Sequence, residues 1–200
     1  MQKMAGLVAA ACAVGAVACS SAPTPGPSRA PAGPGSALER YLPLEDGSVF
    51  SYETLAENRG ERGILVLRVR RPRPERAELI GVRTERIDFS PQAISYATGG
   101  DLLRAPLAVG STWKGRAGNV RLVNVDRSIE VPAGKFKGCL ETLEEAPELK
   151  VTTVFCPDVG IVLIDAEGAV NEDFEREVAR LRYFGPAVDL DAPTAPAVAE

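Results

Sequence analysis

Apolar and β-branched side chains in this chain come in short segments, each soon closed off by Gly, Pro, Asn or Asp. That punctuation limits the fold more than any other feature, because it leaves room for strands and little for long amphipathic helices. Val49-Phe50-Ser51-Tyr52-Glu53-Thr54-Leu55 reads as one strand, and Ile64 to Arg70 alternates as ILVLRVR before the breaker Arg71-Pro72-Arg73-Pro74. Ala77 to Asp88, Ala93 to Ala97, Val120 to Asp126, Phe136 to Leu143, Val151 to Phe155 and Ile161 to Ile164 continue the series. Strands spaced this way predict an all-β, mainly antiparallel domain, a sandwich or partly closed barrel of about eight to ten short strands. Glu172 to Phe184, EDFEREVARLRYF, has helix formers and alternation together, so the C-terminal segment reads as strand or helix, with the final strand preferred.

The predicted domain spans residues 38–188. Ahead of it, residues 20–37 read SSAPTPGPSRAPAGPGSA, too poor in large apolar side chains to fold and extended by their prolines. At about 3 Å per residue such a tether holds a domain tens of ångströms from its anchor. Residues 189–200 have a similar composition and are expected to be a disordered tail.

The first residues explain the tether. Met1 to Lys3 carry one positive side chain, and Met4 to Ala18 form an uninterrupted apolar run, shorter than the roughly 20 residues a spanning helix needs. Residues 1–18 therefore read as an export signal. Its end, Ala16-Val17-Ala18-Cys19, resembles the bacterial lipobox. That resemblance implies cleavage between Ala18 and Cys19, lipidation of Cys19 and a membrane held by the lipid anchor. An ordinary secretory signal cut after Ala18 is the alternative, and Cys12 lies too early to be the modified residue. By the same resemblance Ser20, where Asp would imply inner-membrane retention, favours the periplasmic face of the outer membrane.

Removing residues 1–18 takes away Lys3 alone among the charged side chains, moving the net charge from −4 to about −5. An acidic chain of this kind does not suit nucleic acid. It contains no His, which excludes Ser-His-Asp and Cys-His catalysis, His-ligated zinc and imidazole acid–base work. No catalytic, cofactor-binding or metal-binding residues are assigned, and no cofactor is expected. A hydrolase built on carboxylates such as Asp46, Asp88, Glu141 or Asp158 is the least favoured reading.

Cys139 and Cys156 remain for a compartment that permits disulfides. They are equidistant from a hairpin turn centred between Pro147 and Glu148, which places them opposite each other. A structural disulfide is preferred to a redox dithiol, which would want a C-x-x-C at a helix start. An internal echo also links Pro43-Leu44-Glu45-Asp46-Gly47-Ser48-Val49-Phe50 with Pro106-Leu107-Ala108-Val109-Gly110-Ser111-Thr112-Trp113, 63 residues later. Each reads as a Gly turn feeding a strand that opens on a ring. Phe50 and Trp113 are core aromatics on this view, and ligand contacts on the alternative.

Tyr41-Leu42-Pro43-Leu44 with Gly47, Pro106-Leu107 with Gly110 and Trp113, and Val131-Pro132-Ala133-Gly134-Lys135-Phe136 with Cys139 form a wider pattern with Pro157-Asp158-Val159-Gly160. It resembles a loose family of uncharacterised exported bacterial proteins, often lipoproteins, with P-L-x-x-G-x-x-W and V-P-A-G-x-F-x-x-C motifs. The resemblance runs from about Tyr41 to Phe184 and implies a β-rich fold with no assigned chemistry. Phe50 stands where Trp is commoner, and Asp158 where Gly is expected. The function expected is a non-catalytic structural, accessory or docking role in the envelope, with a protein partner. A carrier of lipid or another apolar ligand is the alternative.

Overall fold

A computed structural model describes residues 36–170 and 173–187. After a 3-10 turn at Glu39–Tyr41, the chain forms β1 (Ser48–Ala56), β2 (Glu61–Arg73), β3 (Arg76–Ile80), β4 (Thr84–Phe89), β5 (Ala93–Tyr96) and β6 (Asp101–Arg104). Then come β7 (Thr112–Lys114), β8 (Asn119–Val131), β9 (Gly134–Ala146), β10 (Leu149–Cys156), β11 (Gly160–Val170) and β12 (Asp173–Pro186). All belong to one sheet, in the order β6-β5-β4-β3-β2-β1-β12-β11-β10-β9-β8-β7.

Consecutive strands pair from β1 to β6 and again from β7 to β12, and the first strand pairs with the last, Phe50 opposite Phe184 and Leu55 opposite Val178. The result is a nearly closed antiparallel barrel whose open seam lies between β6 and β7. The C-terminal segment is a strand because its alternation suits a place between β1 and β11. There are more strands than the eight to ten expected. Ala77–Asp88 is two strands, parted by a Gly81-Val82-Arg83 turn, and the short β6 and β7 were too brief to leave a periodic signal. The breaker at Arg71 to Pro74 does not end β2. A register shift between Arg70 and Arg73 absorbs Pro72, which has no N–H for the ladder.

The internal echo is conformational as well as sequential. Ser48 N donates to Glu45 O and Ser111 N to Ala108 O, while Gly47 N bonds Val69 O and Gly110 N bonds Leu122 O. Both glycines have φ above +70°, at 75° and 90°, where a side chain would be strained. Each turn thus hooks its strand onto the next one, and Phe50 and Trp113 enter the core at equivalent steps.

The core is continuous. It runs from Leu38, Leu42 and Leu44 of the first segment through Phe50 and Tyr52 to Leu122, Phe155 and Leu181. Asp158 takes a φ of 63° in the β10–β11 turn, and its N–H bonds Arg40 O at 2.7 Å, fastening the first segment to the barrel. That left-handed backbone is the physical reason Gly is expected there, and Asp is among the few residues that tolerate it.

Candidate functional site

The β8–β9 hairpin is the longest in the sheet, and it does not stay flat. Register shifts between Leu122 and Ile129 break its ladder, and bulges of this kind increase twist and bend a strand. Its tip folds back on β12, where Ala133 N donates to Leu181 O at 2.9 Å and Phe136 meets Phe184 edge-on at 6.2 Å. Between this arm and the sheet lies a cleft of 610 Å³, lined on the arm by Arg127 and by Ile129 to Pro132, and on the sheet by Leu163, Asp165, Val178 and Arg180. A second hollow of 260 Å³ shares Glu53, Val178 and Arg180 with it and continues over Leu55, Arg62 and Ile64.

Register defines the surface that these hollows occupy, because directly paired residues share a face. Val66, Ser51 and Tyr183 form one row across β2, β1 and β12; Ile64, Glu53 and Arg180 form the next; Arg62, Leu55 and Val178 the third. Arg68 lies opposite Val49 on one side and Ile80 on the other, extending the face onto β3. Ile64 is 54% exposed, with Val66, Ile80 and Tyr183 also exposed. Val82, in the turn beside Val66, is 95% exposed. The run Ile64-Leu65-Val66-Leu67 is what a strand covered on both faces looks like. Here Leu65 and Leu67 pack on the core while Ile64 and Val66 face outward.

The charges on this face are as uneven as its apolar groups. Six described arginines form no ion pair among the described residues: Arg62, Arg68, Arg73, Arg83, Arg180 and Arg182. All lie on β2, on β12 or in the β3–β4 turn. Nearby, Arg176 is committed elsewhere, its guanidinium gripping Asp165 at 2.6 and 2.8 Å and reaching Glu57 at 3.1 Å. The hydrogen bond from Arg176 holds the Asp165 carboxyl below its usual range.

The residues singled out in the sequence fall elsewhere. Ala18 and Cys19 lie outside the described residues. Cys139 and Cys156 are joined in a disulfide, with Cα atoms 4.2 Å apart. The β9–β10 register that places them opposite each other pairs Ala146 with Leu149 and Leu140 with Phe155. Phe50 and Trp113 are buried, and the Trp113 indole donates to Asp101 O at 3.0 Å, tying β7 to β6 across the seam. The four carboxylates do not converge. Asp46 accepts from Arg71 N, Asp88 pairs with Arg76, Glu141 with Arg127 and Asp158 with Arg40.

Among the described residues, the inner face of the sheet encloses a small void. A void of 100 Å³ is lined by Tyr96, Asp101, Thr142, Glu144, Phe155 and Ile164, far below the several hundred that a lipid tail or drug-sized ligand occupies. Burial there pushes the Tyr96 hydroxyl up to about 12. Glu144 accepts from Ala117 N and Gly118 N at 2.6 and 2.8 Å, closing the β7–β8 turn over this end. Sequence reading missed the outer face because its signal is split between ILVLRVR and EREVARLRYF, over a hundred residues apart.

No protein-family model and no curated protein matches the chain. Two crystal structures resemble it in chain path. One is a protein named as exported, with a YmcC-like fold, from Bacteroides fragilis: 15% identity, TM-score 0.43, covering 70% of this chain and 96% of that one. The other, named as a lipoprotein, is from Parabacteroides distasonis: 11% identity, TM-score 0.46, covering 72% and 98%.

Proposed function

We propose that this chain is a membrane-anchored envelope lipoprotein whose barrel acts by docking, without catalysis and without carrying a ligand in its interior. The address rests on the residues that end the signal, Ala18 and Cys19, and on the tether after them. One observation carries the docking role: the filled barrel leaves an apolar and cationic face uncovered across β2, β1 and β12. A carrier needs a hollow interior, which a void of 100 Å³ does not supply. An enzyme needs reacting groups brought together, and the carboxylates considered from the sequence are each engaged in a separate contact.

Two measurements test this reading. Cys19→Ala should abolish acyl labelling and membrane retention in cells; labelling that persists contradicts the anchor. A photo-crosslinking side chain at Val66 should give a discrete adduct in the anchored chain, lost on Ile64→Ser. A face that yields no adduct, to protein or to lipid, overturns docking, whatever becomes of the anchor.

A further inference from the structure

The geometry points to an anionic lipid surface as the occupant of the outer face of β2, β1 and β12, with Arg62, Arg68, Arg180 and Arg182 meeting headgroup phosphates and Ile64 and Val66 entering the interface between them. The inference deepens the docking reading and rests on it.

Charge complementarity favours this occupant. The chain is acidic overall, yet the arginines that form no ion pair among the described residues collect on this face and its β3–β4 margin, with the Asp165 carboxylate within electrostatic reach of Arg180. Glu53 is the one acidic residue in the three central cross-strand rows, and Glu78 on β3 is engaged by Arg70 and Arg86. Guanidinium is the cation best shaped for phosphate, presenting a planar fork to two oxygens. The aliphatic side chains lie between the cations. Ile64 and Val66 alternate with inward residues along β2, flanked by Arg62 and Arg68 on the same face. Cations interleaved with apolar side chains, on a surface of low overall hydrophobicity, are what binding in the plane of a membrane interface requires. Tyr183, with its hydroxyl donating to Pro186 O, adds an amphipathic ring of the kind that settles at headgroup depth.

The hollow at Leu55, Arg62, Val178, Arg180 and Arg182 gives that contact a local cradle. At 260 Å³ it is large enough to seat a headgroup phosphate, with Arg62, Arg180 and Arg182 in its lining beside Leu55 and Val178. A purely acidic protein segment would use the same arginines but would leave Val82, 95% exposed at the margin, without apolar cover. The lipid on Cys19 and a tether of tens of ångströms would keep this face within reach of the bilayer, so weak individual contacts suffice.

The test uses the mature chain from residue 19 with Cys19→Ala, which has no lipid, sedimented with phosphatidylcholine vesicles and with vesicles also containing phosphatidylglycerol. Binding is expected to the anionic vesicles alone and to weaken as salt rises. Each of Arg62→Ala, Arg180→Ala and Arg182→Ala should weaken it roughly fivefold, and Ile64→Ser with Val66→Ser should reduce it even at low salt. These side chains are exposed and outside the core, so unchanged thermal melting confirms that the variants stay folded. Equal binding to both vesicle types, no binding, or indifference to the arginine substitutions overturns the inference. If vesicles fail while the crosslinker at Val66 captures one protein in cells, docking stands and the lipid assignment falls. If both fail, the docking reading falls with it.

Discussion

At the scale of single residues, two side chains have consequences that can be measured. Trp113 is buried, and its indole N–H reaches the backbone carbonyl of Asp101 across the barrel seam. Trp113→Phe keeps a ring in place but orphans that carbonyl, so stability in urea unfolding should fall by about 1–3 kcal/mol. Asp165 acts through charge. Arg176 holds its carboxyl below the ordinary range, so the folded state binds the proton less readily than the unfolded chain. The stabilisation is therefore complete above the unfolded value near 3.9 and fades as pH falls through the lower folded value. Asp165→Asn removes that contribution, so thermal melting should show a lower midpoint at neutral pH and a shallower decline in acid. Parallel curves for the two proteins would contradict this account.

At the scale of elements, the β9–β10 hairpin carries the staple. Its two-residue turn at Pro147-Glu148 fixes the register, and the register brings Cys139 and Cys156 to a Cα separation of 4.2 Å. Closing a loop of 17 residues stabilises by roughly 3 kcal/mol, mostly by restricting the unfolded chain. Cys139→Ser with Cys156→Ser should cost about that much in denaturant, and reduction of the native protein should reproduce most of it. The β8–β9 hairpin has a different role. Its bulges bend the tip onto β12, creating the arm over the cleft. Adding a reductant should loosen the staple without freeing this arm, because Ala133 and Phe136 hold it independently.

At the scale of the molecule, a barrel that lacks one row of ladder bonds has an unequal distribution of stability. The junction of β1 and β12 is paired along its length, whereas β6 and β7 are short and meet mainly through Trp113. Amide hydrogen exchange should be fastest at 101–104 and 112–114 and slowest along the centres of β1 and β12. Uniform protection around the barrel would mean that the seam is closed in solution. Tyr52 and Tyr96 make the same structure sensitive to alkali. Burial raises both hydroxyls, Tyr96 to about 12, so their stabilisation is full below the unfolded value near 10 and fades as pH rises through the folded ones.

The sequence alone determined the class of fold, because period-two alternation and frequent breakers are local properties that admit strands and few helices. It determined the disulfide register for the same reason, since a hairpin's pairing follows from where its turn falls. Phe50 and Trp113 were legible as ring-bearing sheet entries because the turn that delivers them is written in eight consecutive residues. Tertiary structure decided the rest. Whether the strands close as a barrel depends on β1 meeting β12, a contact between opposite ends of the domain that no window of sequence contains. The outer face depends on that same contact: Ile64 and Val66 become neighbours of Arg180 and Tyr183 only when β1 is seated between them. Alternation shows that a strand has two faces, but the core is assigned to one of them only when the whole chain packs. The face left over is then a product of the complete fold.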